Sequence, residues 1–416
     1  MAVNFTFIYL IQKKILIIMK KYLLKVSAVL SIAMLFSTTK ATAQDQIGEF
    51  LKVGVDDGNK LINAYMSPMM KGFAQGLNDG WCNTAKPLGL GGFDVKFNLG
   101  ASMVPTSDQS FNFNNIGLNT DPSKARFVLP TGANPNLSTL FGTNDPNSPY
   151  ANVMSRLTYT PPGSSTPVTK DTSLAKFQLP TGKGIPYTPS LPMAQLSVGL
   201  VKKTEVMIRY FPQIAMGNFK AGMFGLGFKH DIKQWIPGIK NMPGWDWSVF
   251  VGYTSFSSEY IMGQILSSNK DTSIYNPDPS IKYDNQKLTF TGSAYTVGTI
   301  ISKKLLFFTP YIGVNYAYST VNMKLEGNYP IPLPNDKYQP IPPSMGGTNY
   351  NPHTSKIFNT VDPVNLTGTL SNFRANVGFR LKLTIFTISA EYSVGAYSSL
   401  TASVALNIQS LAPPKL

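Results

Sequence analysis

LTGTLSNFRANVGFRLKLTIFTISAEYSVGAYSSLTASVALNIQ, residues 366–409, holds three runs of alternating apolar and polar residues. In the first, Phe373, Ala375, Val377, Phe379 and Leu381 stand against Asn372, Arg374, Asn376, Gly378, Arg380 and Lys382. In the second, Phe386, Ile388, Ala390, Tyr392 and Val394 oppose Thr387, Ser389, Glu391 and Ser393. The third sets Leu400, Ala402, Val404, Leu406 and Ile408 against Thr401, Ser403, Asn407 and Gln409. Period-two alternation gives strands with one apolar and one polar face. Strands of soluble sandwiches average about 5–6 residues. Runs of about ten match strands that cross a bilayer at a tilt. Charged residues on the polar face suit a wet lumen. The expected fold is all-β: a transmembrane antiparallel barrel of 10–14 strands.

The same pattern extends toward the N-terminus. Phe93 to Val104 alternates, with Asp94 and Lys96 on its polar face. It resumes at Ala194, then in Thr204 to Phe211 with Glu205 and Arg209, and in Lys220 to His230 with Lys229. Asp246 to Phe256, Leu288 to Ile301 and Leu306 to Leu325 follow, which brings the count to ten. The stretch Phe308 to Tyr318 spans about 33 Å at ~3.3 Å per residue. At ~40° tilt that is about 25 Å of height, the usual apolar band of such barrels.

Connection lengths orient the strands. If the first strand runs outward, the long connections 105–192, 259–285 and 326–365 all lie on the outer side. The tight turns at Lys202-Lys203, Ser302-Lys303-Lys304 and Leu383-Thr384 lie on the inner side, as in bacterial barrels. An even strand count keeps both termini on the inner side. The insert 105–192 contains two similar stretches, Ala125 to Gly132 and Ala175 to Gly182. They read as a duplicated hairpin that either adds strands to the wall or forms an external lid.

Residues 1–43 read as a secretory leader. Met19-Lys20-Lys21 opens a basic region, an apolar stretch runs from Val26 to Phe36, and Ala41-Thr42-Ala43 is a cleavage site before Gln44. Met19 is the expected true start. The leader holds six lysines and no acids, so the mature chain has 30 basic and 21 acidic residues, a net +9. Charge is only 14% of the chain and aromatics 12%, a balance that favours an outer-membrane barrel over a cytosolic enzyme. The expected location is the outer membrane. The expected partners are outer-membrane lipid and lipopolysaccharide, with a small or hydrophobic solute as cargo and no nucleic acid. The lone Cys82 excludes an intrachain disulfide and reads as a buried small residue.

Residues 44–86 form an N-terminal helical unit before the barrel of 87–410 and a tail of 411–416. Apolar residues recur there at three- and four-residue steps, with a break and restart expected at Ser67-Pro68 and an end at Gly80. Met69, Met70 and Phe73 are the candidate contacts. The unit is expected to be either a plug in the lumen or a seal at the inner end. Gly72 and Gly76 share a GxxxG spacing.

Three stretches carry a resemblance: Asn59 to Pro68 (NKLINAYMSP), Asn83 to Pro87 (NTAKP) and Gly227 to Gly238 (GFKHDIKQWIPG). They are similar to an uncharacterised family of secreted Bacteroidota proteins regarded as outer-membrane barrels of unknown function. That resemblance implies the barrel but no chemistry. The pairing of N-terminal plug helices with a barrel also resembles the outer-membrane long-chain fatty-acid transporter family, in architecture alone.

No nucleotide loop or metal-ligand spacing is present, and His230 and His353 are the only histidines. The chain is expected to be non-enzymatic, without cofactor or metal. The residues that invite a function are the lumen-facing candidates Asp94, Lys96, Glu205, Arg209, Lys229, Arg374, Arg380 and Glu391. They are either the lining of a pore or a ladder of ion pairs that satisfies buried charge. Ten strands favour the filled ladder, because small barrels are packed by side chains. The alternative to transport is a structural or interaction protein whose external loops bind a partner or glycan.

Overall fold

The computed structural model describes residues 51, 54–122, 124, 126–145, 148–159, 165–262, 280, 282, 285–333 and 356–409. The leader and the tail lie outside the described residues. Ten antiparallel strands close on themselves. They are β1 (Phe93–Met103), β2 (Met193–Leu200), β3 (Thr204–Met216), β4 (Phe219–Asp231) and β5 (Trp245–Ile261). The rest are β6 (Lys287–Lys303), β7 (Phe308–Glu326), β8 (Val364–Leu383), β9 (Phe386–Val394) and β10 (Ser399–Ile408). Each pairs with its neighbour, and β1 closes on β10 from Phe93 opposite Ile408 to Ser102 opposite Ser399. No described helix is long and apolar enough to cross a membrane, which says nothing of a barrel.

Alternation along each strand sorts side chains in or out. Leu99, Leu196, Ile208, Phe224, Val251, Val297, Val314, Val377, Ile388 and Val404, one from each strand, are exposed on the outside. The pattern then reverses toward the outer end. On β7 the exposed face is apolar up to Tyr318 and continues as Thr320, Asn322 and Lys324, while the inner face passes from Thr309 and Asn315 to buried Val321, Met323 and Leu325. β8 reverses between Phe373 and Ser371, its inner face ending in buried Leu370, Leu366 and Val364. The reversals fall on registered residues: Tyr253 faces Tyr295, Tyr295 faces Tyr318, and Tyr318 faces Ser371. The tube therefore has an apolar outside around a mainly polar inside in its inner part, where Met207, Phe250, Ile300 and Tyr311 form an apolar cluster with Trp81, and a polar outside around an apolar inside beyond.

Among the described residues one α-helix, α1 (Val55–Leu77), occupies the apolar part. Asp56 and Asp57 in its first turn favour the positive end of the helix dipole. The expected break at Ser67-Pro68 does not occur, and Pro68 lies inside a continuous helix. An interior proline costs ~3 kcal/mol. Pro68 is itself buried, as are Leu61, Ile62, Met70, Phe73 and Leu77, so the enclosing wall holds both halves on one axis. Close approach explains several glycines. A Cβ on Gly76 would lie 2.7 Å from Ser190 Oγ, one on Gly72 would strike Thr188, and one on Gly368 would lie 2.7 Å from Met70 Cβ.

The insert supplies none of the ten wall strands. Its Tyr187–Pro189 pairs with the outer end of β1, in line with β2. The two similar stretches are not a repeated hairpin. Their strands Arg126–Val128 and Val168–Gln178 flank one central strand, Tyr150–Tyr159. The insert also holds α1 along its length: Asp57 accepts from the Asn119 amide at 2.9 Å, Tyr65 donates to Thr181 O at 2.9 Å, and Lys71 pairs with Asp108 at 2.9 Å.

The wall's first and last strands begin and end together at the inner end, Phe93 opposite Ile408, as an even strand count implies, while the first described residues lie at the outer end. Asn59 bonds to Pro363 O and to the amide of Asn365, at the outer end of β8. The chain thus enters α1 at the outer end, runs down the lumen and reaches the inner end before β1 begins.

Candidate functional site

All eight lumen-facing candidates are buried inside the barrel. Three converge on the end of α1. A helix C-terminus leaves carbonyls unpaired and carries about half a negative charge. α1 has no basic residue in its last turn, so the wall supplies the cations. Arg209 donates from Nη1 to Leu77 O at 3.1 Å and from Nη2 to Asp79 O at 2.6 Å. Arg374 donates to Asn78 O at 3.4 Å and pairs with the Asp79 carboxylate at 2.7 Å. Lys96 bonds to Gly80 O at 2.8 Å and Trp81 O at 3.0 Å. Five successive carbonyls, 77–81, are held by three cations from β1, β3 and β8. Gly80 takes the left-handed conformation, φ 69°, that turns the chain away from the helix.

Neutral groups complete the clamp. Gln195 donates to Trp81 O at 3.1 Å and accepts from Arg209 Nε at 3.1 Å. Asn315 accepts from Arg374 Nε at 2.9 Å. The Arg209 guanidinium lies 3.7 Å from the Trp81 ring centre. A Cβ on Gly227 would come within 2.6 Å of that ring, and one on Gly252 would strike it. These wall glycines make room for the indole.

Below Trp81 the chain continues through the polar part of the lumen. Lys229 and Glu205 pair at 3.0 Å; Lys229 also reaches Thr84 O at 3.4 Å, and Glu205 accepts from the Leu88 amide at 3.0 Å. Ser302 accepts from the Ala85 amide, and Ser248 donates to Ala85 O. The other three candidates do not touch this segment through a hydrogen bond. Glu391 accepts from Asn376 at 2.9 Å, Asp94 accepts from Asn407 at 2.9 Å, and Arg380 is buried with Nε and Nη2 unbonded. A cavity of about 20 Å³ is lined by Asn78, Trp81, Cys82, Asn315, Arg374 and Glu391, above the ~10–15 Å³ needed to hold one water. Cys82 is a buried free thiol.

Of the plug candidates, Met70 and Phe73 are buried and Met69 packs against the same cluster. Phe73 meets Phe256 and Phe290 with ring centres 5.1 and 4.7 Å apart. At the outer end Asp108 accepts from Tyr397 at 2.5 Å and from Lys71. Burial pushes its carboxyl up, but these two bonds outweigh it and hold it below the ordinary value. Burial pushes Tyr65 up to about 12.

Sequence reasoning missed Asp79, Asn78, Trp81 and Gln195. The available signal was the polar run Asn78-Asp79-Gly80 closing a helix with no basic residue in its last turn.

A family model matches residues 19–408, described as a family of unknown function, DUF6588. The chain belongs to that family. No curated protein matches. Among solved structures it is similar to the outer membrane transporter YddB from Escherichia coli, at 11% identity and TM-score 0.25. That match covers 73% of this chain but spans only 39% of YddB. The translocator domain of autotransporter NalP from Neisseria meningitidis matches at 8% identity over 81% of this chain and 92% of that one, TM-score 0.22. The outer membrane protease OmpT from Escherichia coli matches at 8% over 79% and 97%, TM-score 0.22. TM-scores this low carry no argument; the barrel rests on the strand pairing itself.

Proposed function

We propose that the protein is a non-enzymatic outer-membrane barrel held shut by its own N-terminal segment, and that a small or hydrophobic solute passes only when that segment shifts. The exposed apolar band on all ten strands supports membrane insertion, since a monomer in water rarely carries such a surface. The girdle pattern agrees. Tyr253, Tyr295 and Tyr318 edge the band on its outer side, and Trp245, Phe308 and Phe386 edge it on its inner side. Export follows from the leader, cleaved after Ala43.

The observation that carries the closed-but-releasable reading is the clamp of Arg209, Arg374 and Lys96 on the carbonyls of residues 77–81. Apart from the Arg374–Asp79 pair these are hydrogen bonds from cations to backbone carbonyls. Water can replace each such contact when the segment moves, whereas an apolar seam would resist rehydration. The apolar contacts of α1 in the outer part set the register of the closed state.

Planar-bilayer recording tests this. The full-length protein should be closed, and deletion of residues 55–77 should open a channel. A tether, Asn78→Cys with Ser319→Cys in a Cys82→Ser background, joins groups 2.6 Å apart and should suppress the rare openings of the intact chain until reductant is added. A folded deletion variant with no added conductance would refute the gate and leave the interaction role of the external insert.

A further inference from the structure

The inner end of the barrel differs in charge from the outer end. At the inner end Lys86, Lys202, Lys203, Lys240 and Lys304 are exposed and Lys303 is half-buried. The described acids there are buried or half-buried. Asp231 is buried and tied to Lys203 at 3.0 Å, Asp246 is half-buried, and Asp94 and Glu205 lie in the lumen. The outer end mixes signs: Glu259 lies between Lys220 and Lys287 at 3.6 and 3.8 Å, and Lys287 pairs with Glu326 at 2.9 Å.

The inner connections also expose large apolar residues at their tips. Val201 is 65% exposed, Trp235 61%, Leu306 87%, Phe307 58% and Ile385 45%. Leu306 takes a left-handed backbone, φ 55°, where a turn facing water selects glycine or asparagine. These tips occur at every inner strand connection, on all sides of the tube. A protein partner would cover one side; a bilayer leaflet meets the whole ring.

We infer that this rim is a binding surface for anionic phospholipid headgroups of the inner leaflet. The apolar tips enter the acyl boundary, and the lysines on the same turns meet the phosphates. Lys303 Nζ, 5.0 Å from the Trp245 ring centre, shows the pairing of cation and interfacial aromatic that this requires. The inference rests on the membrane-spanning reading of the band.

Native mass spectrometry of the full-length protein in detergent, with equal phosphatidylglycerol and phosphatidylcholine, tests it. A lysine at an anionic surface contributes about fivefold in affinity. The wild type should therefore retain phosphatidylglycerol over phosphatidylcholine by at least about tenfold. The variant K202Q/K203Q/K303Q/K304Q should bind both equally, and the outer-end variant K220Q/K287Q/K324Q should keep the preference. No preference in the wild type, a preference that survives the inner-end changes, or an equal loss in the outer-end variant would overturn it. Insertion into phosphatidylcholine vesicles, scored by trypsin protection, separates the two readings. A wild type that inserts without headgroup preference overturns the rim assignment alone. One that fails to insert overturns the membrane reading and the rim with it.

Discussion

Asp79→Asn should unseat the plug without unfolding the barrel. Arg374 and Asp79 are 2% and 1% exposed and pair at 2.7 Å. Removing one partner of a buried pair costs ~3–5 kcal/mol because the other charge is stranded. Asparagine keeps the size and an acceptor, Arg374 keeps its bonds to Asn315 and Asn78 O, and the adjoining cavity admits water. The low end, about 3 kcal/mol, is therefore expected. At 1.4 kcal/mol per tenfold, that shifts the seated-to-released equilibrium roughly 150-fold. The assay is hydrogen exchange of amides 78–88 in the lipid-reconstituted protein, with channel open probability as a second readout. A cycle with Arg374→Gln isolates the pair: each single change should accelerate exchange, and the double change should do less than their product. A coupling below about 0.5 kcal/mol would refute the clamp, because that is the range of exposed, solvated pairs.

Val377→Arg, at an exposed position within the apolar band, should cost ~2–4 kcal/mol of folding stability in lipid, whereas Asn365→Arg on the outward face above the band should cost little; urea titration in vesicles compares them, and equal losses would contradict the band's upper edge. Gly252→Ala drives a methyl into the Trp81 ring and should loosen residues 78–88, with overpacking of ~1–3 kcal/mol; Trp81→Ala should suppress the defect, and exchange rates unaffected by Gly252→Ala would count against the packing. Asp108, held below its ordinary value, contributes to seating α1 above its unfolded value near 3.8, and this contribution is lost as pH falls through the folded value. Open probability should therefore rise below about pH 4, and Asp108→Asn should flatten that part of the profile; an unchanged profile would exclude the Lys71–Asp108–Tyr397 contact as a latch. Gly54→Cys in the Cys82→Ser background should react with a membrane-impermeant maleimide on intact cells while Lys86→Cys does not, since α1 starts at the outer end; the opposite labelling would reverse the orientation.

The wall was legible because each strand repeats one local rule. A period of two over ten residues places Arg374 and Arg380 inside and Phe373 and Phe379 outside before any contact is known. Strand ends were less legible, because the rule inverts. The polar outer face of Thr320, Asn322 and Lys324 continues β7 beyond Tyr318 with the same alternation and the opposite sense. Reading the inversion needs a second apolar object on the inside, and α1 is that object. Its apolar stripe appeared in the sequence, but its continuity through Pro68 did not, because proline's local penalty is offset by burial against a distant wall.

The clamp was the least legible part, for a physical reason. Arg209, Arg374 and Lys96 were marked by their place on the polar face, yet what they hold is mostly backbone carbonyl, and every residue carries one. Five ordinary carbonyls become a site only when a helix stops in mid-lumen and leaves them unpaired. The position of that stop was encoded in Asn78-Asp79-Gly80, while the absence of lysine or arginine in the last turn of α1 left the negative end for others to meet. The wall residues and the helix end are thus incomplete separately: cations without counter-charges on one side, and acceptors without donors on the other. Closing the lumen satisfies both at once, and any route through it must first supply water to both.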